Sequence, residues 1–136
     1  MPVSRKQARR EAVFALYQRD VTAVSVEEAF AGLRRQEGRG PDDYTVELVE
    51  AAVAGQDDLD ASIGDCAAVA GWSVDRIHPL ERNIMRVAIV EMRAGLAVEI
   101  AVDEAVGLAK RYVTDEAGAF VNGVLGCVAA RIAEAA

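Results

Sequence analysis

The stretch PLERNIMRVAIVEM, residues 79–92, carries the pattern that decides the fold. Its apolar residues recur at spacings of three and four, which is the period of an α-helix with a buried face. That face is broad, so the sequence predicts a helix at the centre of the domain. Pro79 suits the first helical position, and the helix is predicted to end near Arg93, before Gly95.

Glu91 is the anomaly of this helix, because it lies on the apolar face. A buried carboxylate must be paired or hydrogen-bonded. General acid–base catalysis would need a second positioned group in a cleft, and the sequence offers no such partner. We therefore interpret Glu91 as structural, bonded to a cation or to a backbone N–H.

Outward from this helix, the whole chain shows helical periodicity and no alternating strand pattern. Capping boxes at Ser4/Gln7 and Ser25/Glu28 mark two helix starts. The predicted helices cover about residues 4–20, 25–38, 42–70 (loosened at Gly55), 79–93, 102–113 and 117–133.

These elements predict an all-α fold, a compact bundle of six to seven helices. A length of 136 residues, 52% of them hydrophobic and 27% charged, suits one folded domain. We expect it to comprise two helical groups, about 1–70 and 71–136. No apolar run approaches the roughly 18 residues that a membrane span needs, so no membrane partner is expected.

Catalytic and metal-binding patterns are missing from the sequence. Cys66 and Cys127 belong to no CxxC pair, and His78 is the only histidine, so no zinc set is expected. We expect two buried free thiols in a cytosolic protein. Trp72 is predicted to be a hydrophobic anchor between two helices. Without a triad, a Walker A loop or an HExxH motif, the sequence favours a binding module without a cofactor.

The charge is distributed unevenly along the chain. The net charge is −7 and the pI about 4.7, which argues against a general nucleic-acid binder. The first ten residues nevertheless hold four cations and no acid, which leaves −11 for the remainder. These cations are Arg5, Lys6, Arg9 and Arg10.

Cations and aromatic rings share one stripe of the first helix. At spacings of four, four and three it carries Lys6, Arg10, Phe14 and Tyr17. Cations hold phosphates and rings stack on bases, so this stripe suits RNA. Alternatively, the rings belong to the core and the cations form a solvated tip. The helix dipole disfavours N-terminal cations by roughly 0.3–1 kcal/mol each. The residues alone leave both interpretations open.

Three segments together resemble the NusB family of bacterial transcription antitermination proteins. They are SRKQARREAVFALYQ (4–18), GWSVDR with ERNIMRVAIVEM (71–76 and 81–92), and VDEAVGLAK with FVNGVL (102–110 and 120–125). The resemblance spans nearly the whole chain in order, although residues 38–70 match only as a helical pattern.

The resemblance implies an all-α fold of two helical groups and a cytoplasmic, non-enzymatic function. Members bind the boxA element of nascent ribosomal-operon RNA, which is single-stranded, together with ribosomal protein S10 (NusE). This complex helps RNA polymerase to read through terminators. Some members also form homodimers that cover the RNA face, so a second copy is a further expected partner.

The residue pattern and the resemblance together give a set of candidate site residues. The RNA-binding candidates are Arg5, Lys6, Arg9, Arg10, Phe14, Asp115, Glu116, Phe120 and Asn122. The S10-binding candidates are Tyr17 and Glu81. This chain has Ala119 where some members place a lysine.

The four N-terminal cations also give a quantitative expectation. Four phosphate contacts predict a log–log salt slope of about −3 for RNA binding, at roughly 0.7 per contact. On this hypothesis, Arg9→Ala with Arg10→Ala weakens RNA binding and leaves the melting temperature nearly unchanged.

Two alternatives remain at this point. The first is a helical protein–protein adaptor with no RNA role. The second is an enzyme, because NusB-like domains also occur fused to RNA cytosine methyltransferases. That interpretation needs a methyl-donor domain with a Gly-rich loop and a nucleophilic cysteine. The sequence up to Ala136 holds neither, so no enzyme is expected.

Overall fold

Helices account for most of the computed structural model, which describes residues 3–135. Within that range there are seven α-helices and no strand, so the predicted all-α class is confirmed. The helices are α1 (Arg5–Thr22), α2 (Val26–Glu37), α3 (Asp43–Ala54), α4 (Gln56–Val69), α5 (Pro79–Arg93), α6 (Val98–Tyr112) and α7 (Asp115–Ala135). A 3₁₀ turn, Val74–Arg76, precedes α5.

Ser4 and Ser25 cap the N-termini of α1 and α2, but among residues 3–135 neither Gln7 nor Glu28 makes the reciprocal side-chain bond of the predicted capping box. The Ser4 and Ser25 hydroxyls accept hydrogen bonds from the backbone N–H groups of Gln7 and Glu28, each at 3.1 Å. Each bond satisfies an N–H that the first helical turn leaves without a backbone partner. Helix α2 ends at Gly38, whose φ of 69° is the left-handed conformation that favours glycine.

Helix α5 is the central helix, as its sequence predicts. It contacts α1, α3, α4, α6 and α7. Its fully buried side chains include Ile84, Met85 and Ile89. Because α5 contacts elements from both predicted helical groups, it holds α1 in place against the core. The division at residue 70 stays a prediction.

Two helix boundaries differ from the sequence prediction. The helix predicted over residues 42–70 is two helices separated at Gly55, whose N–H donates to Ala51 O and whose own carbonyl accepts from Leu59 N. Helix α6 begins at Val98 rather than near residue 102. The chain reverses at Gly95, whose φ is 103°, and Ala97 is extended, so the helix can begin earlier.

The prediction of two free thiols is wrong. Cys66 on α4 and Cys127 on α7 form a disulfide, with their Cα atoms 5.8 Å apart. Helices α4 and α7 are in contact, and this contact brings together cysteines that are far apart in the sequence. Sequence spacing alone does not show such a pairing.

Helix α7 is the one helix among residues 3–135 that is long and apolar enough to cross a membrane by length and composition alone. Core helices of globular domains meet the same criterion. Here α7 packs against α4, α5 and α6. Val121, Val124 and Leu125 are buried in these contacts, so its apolar face belongs to the core of the domain.

Candidate nucleic-acid interface

Arg9 differs from the other N-terminal cations, because its side chain is buried. It is 7% exposed, and its guanidinium forms a two-pronged hydrogen bond with Glu91, Nε to Oε1 at 2.6 Å and Nη2 to Oε2 at 2.8 Å. The Tyr44 hydroxyl also donates to Glu91. The structural role predicted for Glu91 is confirmed. Contrary to what the RNA-binding prediction needs, the Arg9 guanidinium is buried, and its Nε and Nη2 are bonded to Glu91.

The charges around Glu91 favour a protonated Arg9 and a protonated Tyr44. Burial by itself would lower the pKa of Arg9, but hydrogen bonds and charge from Glu91, with Glu104 adding, raise that pKa above its ordinary value. Burial and the Glu91 carboxylate also raise the pKa of Tyr44. Arg9 therefore stays charged and Tyr44 stays a neutral donor, which fixes α1 against α3 and α5.

The other three N-terminal cations remain accessible. The Lys6 side chain is 77% exposed, and its ammonium lies 3.7 Å from Glu104. The Arg5 guanidinium lies 3.8 Å from the centroid of the Tyr44 ring, a cation–π contact that leaves its N–H edges free. Arg10 is half-buried and forms no ion pair with any residue in the range 3–135.

An open groove of about 510 Å³ runs between α1 and α6. Lys6 and Arg10 line it from α1, and Lys110 and Arg111 line it from α6. Asp103 and Glu104 form its acidic end. The two α6 cations are absent from the candidates predicted from sequence, because they lie far from residues 1–10 along the chain. The sequence does place both cations near the end of the helix predicted over residues 102–113, and in the structure both lie on the last turn of α6.

The aromatic rings of α1 are half-buried rather than free. The Phe14 ring meets Tyr112 edge to face, with centroids 5.0 Å apart, and packs against the core. The Tyr17 ring lies nearly parallel to His78, with centroids 6.4 Å apart. The stripe predicted from sequence therefore divides into solvated cations and ring faces that already have partners.

A second groove, of about 420 Å³, joins residues from the two predicted binding sets. Its lining includes the S10 candidate Glu81 and the RNA candidates Glu116 and Phe120. Burial raises the pKa of Glu81, and nearby His78 partly opposes this shift. The remaining α7 candidates, Asp115 and Asn122, are exposed and lie outside this lining.

Trp72 also lines this second groove, contrary to the prediction that it anchors two helices. It is 48% exposed, and its ring meets Phe120 with centroids 6.0 Å apart. It precedes the 3₁₀ turn in the α4–α5 connection, where no helix covers its outer face. The groove thus presents a half-exposed indole beside two carboxylates and the guanidinium of Arg76.

A buried ionic cluster fixes the geometry beside this groove. Arg86 on α5 donates to both carboxylate oxygens of Asp60 at 2.7 Å and to Asp20 Oδ2 at 2.8 Å. The Asn83 amide donates to the same Asp20 oxygen at 3.0 Å. Because Asp20 is on α1 and Asp60 on α4, the cluster joins both of these helices to α5.

Across residues 3–135, no three His, Cys, Asp or Glu side chains converge to hold a metal ion. The two open grooves are instead lined in part by charged groups that form no ion pair within this range, such as Arg10, Lys110 and Glu116. A helical bundle with such grooves is a binding domain of the all-α class.

Comparisons with known proteins assign that class to a family. The family model described as "NusB family" matches residues 6–130. The transcription antitermination protein NusB of Bacillus subtilis is 37% identical over 125 residues, covering 90% of this chain and 92% of that protein. The corresponding protein of Heliobacterium modesticaldum is 37% identical over 139 residues, covering 98% of this chain and 66% of that protein.

A solved structure gives the same result. The chain is similar to a chain in the crystal structure of the antitermination factors NusB and NusE in complex with dsRNA. The TM-score is 0.82 at 29% identity, over 93% of this chain and 96% of that one. This chain belongs to the NusB family, as its sequence motifs indicate.

Proposed function

We propose that this chain is a transcription antitermination factor that binds boxA single-stranded RNA together with ribosomal protein S10 (NusE). It would act in the cytoplasm on RNA polymerase elongation and termination, by binding rather than by catalysis. Its relatives carry the name of transcription antitermination proteins. A structural neighbour is a complex with NusE and dsRNA.

The observation that carries the RNA part of the proposal is the groove between α1 and α6. On a chain of net charge −7, Lys6, Arg10, Lys110 and Arg111 converge on one open surface. Cations placed this way neutralise successive phosphates, and the acidic remainder of the surface disfavours RNA elsewhere. The candidates Arg5, Lys6 and Arg10 fit this role, and Arg9 does not.

The second groove supports the S10 part. Glu81 carries a carboxylate that burial makes costly to ionise in the free chain. A cationic group from a basic partner would stabilise that carboxylate, and Tyr17 lies beside it through His78. Because Phe120 and Glu116 line the same groove, RNA and S10 would meet at this edge of the domain.

The test is fluorescence anisotropy with boxA RNA and with a scrambled RNA, each with and without S10, over a range of salt concentrations. We expect preference for boxA, tighter binding with S10, and a negative salt slope. The three accessible α1 cations alone give a slope of about −2 instead of −3, at roughly 0.7 per phosphate contact. Equal binding to both RNAs, or a slope near zero, would contradict the proposal.

A further inference from the structure

The stem of Lys110 occupies the space that a side chain at residue 118 would fill. A Cβ atom placed on Gly118 would lie 2.6 Å from Cγ and 3.1 Å from Cε of Lys110, well inside van der Waals contact. Gly118 is buried under this stem in the first turns of α7, while Lys110 as a whole is exposed. The absence of a side chain at Gly118 therefore sets the direction in which the Lys110 ammonium extends.

The Lys110 ammonium has no carboxylate partner within 4.0 Å among residues 3–135. Lys6 and Arg9 differ, because Lys6 contacts Glu104 and Arg9 contacts both Glu91 and Glu104, whereas Arg10 in the same groove is, among these residues, unpaired as Lys110 is. Packing a lysine stem restricts rotamers that a solvated lysine would keep. A stem held in place with its charge unpaired is an arrangement suited to an anionic ligand.

The position of Lys110 connects the two candidate RNA-binding surfaces. It lines the α1–α6 groove with Lys6 and Arg10, and its stem crosses α7 two residues before Phe120. The groove is open at Gly107, where a Cβ atom would meet nothing within 4 Å. Asp103 and Glu104 at the other end would repel phosphates and so direct an RNA strand toward Lys110.

We propose that Lys110 is a phosphate-binding residue for the RNA and that Gly118 is its positioning residue. A single strand bound along α1 would pass over the last turn of α6 to reach α7, with Lys110 holding the phosphate between them. This inference rests on the proposed RNA-binding function and adds the route that the strand follows across the domain.

The experiment measures the affinity of boxA RNA, with S10 present, for the wild-type chain and for Lys110→Gln, Lys110→Arg, Gly118→Ala and the double variant Lys110→Gln/Gly118→Ala. The control is Arg131→Gln. Arg131 is an exposed cation of α7 that pairs with Asp65 and lines a different groove. Thermal melts confirm that each variant is folded, and light scattering reports whether any variant changes the oligomeric state.

We expect Lys110→Gln to weaken binding about 5-fold at 0.1 M salt and to make the salt slope shallower by about 0.7, the loss of one phosphate contact. Lys110→Arg should keep the wild-type slope. Gly118→Ala should weaken binding with Lys110 present and have no effect in the Lys110→Gln background, since the two residues act as a unit. Arg131→Gln should bind as the wild type does.

Three results would overturn the inference. If the wild-type chain binds boxA RNA and Lys110→Gln binds it equally with the same slope, Lys110 contacts no phosphate and the proposed function stands. If Lys110→Gln changes the oligomeric state instead, the groove is a contact between copies of the chain. If the wild-type chain binds no RNA with S10 present, the proposed function fails together with the inference.

Discussion

Helices α1 and α5 both carry a stripe of basic residues, and the two stripes have different environments. On α5, all three arginines of the stripe have carboxylate partners: Arg82 with Asp20, Arg86 with Asp20 and Asp60, and Arg93 with Asp58. Among the four cations in the first turns of α1, Arg9 is buried and paired, and Arg5, Lys6 and Arg10 remain accessible to solvent.

The comparison shows that the acidic residues of neighbouring helices decide what a basic stripe does. Arg9 and Arg86 have the same role, because each joins α1 and α5 through a carboxylate buried between helices. Lys6 and Arg10 lie on the same helix as Arg9 but face the open groove. The role of a cation within a stripe is therefore determined by its partners on neighbouring helices rather than by its spacing along its own helix.

The largest expected effect is on stability, from removing a buried arginine. Arg9→Met should lower the free energy of unfolding by about 3–5 kcal/mol, because Glu91 would be left buried without its ionic partner. Urea denaturation measures this change. The matched control is Arg10→Met on the same helix, which should stay within about 0.5 kcal/mol of the wild type.

This expectation replaces the prediction from sequence that Arg9→Ala with Arg10→Ala leaves the melting temperature nearly unchanged. Arg86→Met extends the comparison to α5 and should cost less, about 1–3 kcal/mol, because Asp20 keeps Arg82 at 3.6 Å and Asp60 is only partly buried. If Arg9→Met and Arg10→Met were equally stable, the distinction between paired and free α1 cations would be incorrect.

A smaller effect is expected at Tyr44, whose hydroxyl donates to the same carboxylate as Arg9. Tyr44→Phe should cost about 1.5–3 kcal/mol, the usual loss for a hydrogen bond to a charged group. The ring that contacts Arg5 is kept. Tyr17→Phe is the matched control, because its hydroxyl has no hydrogen bond to any residue from 3 to 135, and it should change stability little.

Tyr44 also predicts a pH dependence. Because its pKa is raised in the folded chain, its contribution to stability is complete below the ordinary phenol pKa of about 10 and is lost as the pH rises through the raised value. The wild-type chain should therefore lose stability in strongly alkaline solution more steeply than Tyr44→Phe. Parallel pH profiles of the two would contradict the hydrogen bond to Glu91.

The sequence predicts local structure well here, and partnerships less well. The helical period, the helix caps at Ser4 and Ser25 and the central position of residues 79–92 depend on neighbours along the chain, so they can be derived from the sequence. It also indicates that Glu91 needs a partner, because a buried charge must be compensated. It does not identify Arg9 as that partner, because the pair forms only when α1 packs on α5.

The same limit explains the other differences. Cys66 pairs with Cys127, and Lys110 lies over Gly118, through helix contacts that no sequence period encodes. Trp72 was predicted to be buried because of its hydrophobicity, but the short connection before α5 leaves its outer face uncovered. Of the binding residues proposed from the sequence, Arg5 and Lys6 are exposed, Arg9 is buried, and the rings of Phe14 and Tyr17 already have partners.

The smallest expected effect on stability is at Glu81, where it opposes the expected effect on binding. Because burial raises its pKa, the contribution of Glu81 to stability is present below the ordinary carboxyl pKa and is lost as the pH rises through the raised value. Near neutral pH the ionised carboxylate therefore opposes folding. Glu81→Gln should make the chain more stable there by about 0.5 kcal/mol or less, with no difference in acidic solution.

The same substitution should weaken S10 binding, since it removes the charge that a basic partner would neutralise. Glu116→Gln, which removes the charge of the exposed carboxylate in the same groove, is the control and should lower the melting temperature slightly, because the helix dipole favours a negative charge in the first turn of α7. Thermal melts at neutral and acidic pH, together with titration calorimetry against S10, separate the two effects. A variant that is both less stable at neutral pH and unchanged in S10 affinity would place Glu81 with the structural carboxylates such as Glu91, and the S10 surface would then have to lie elsewhere.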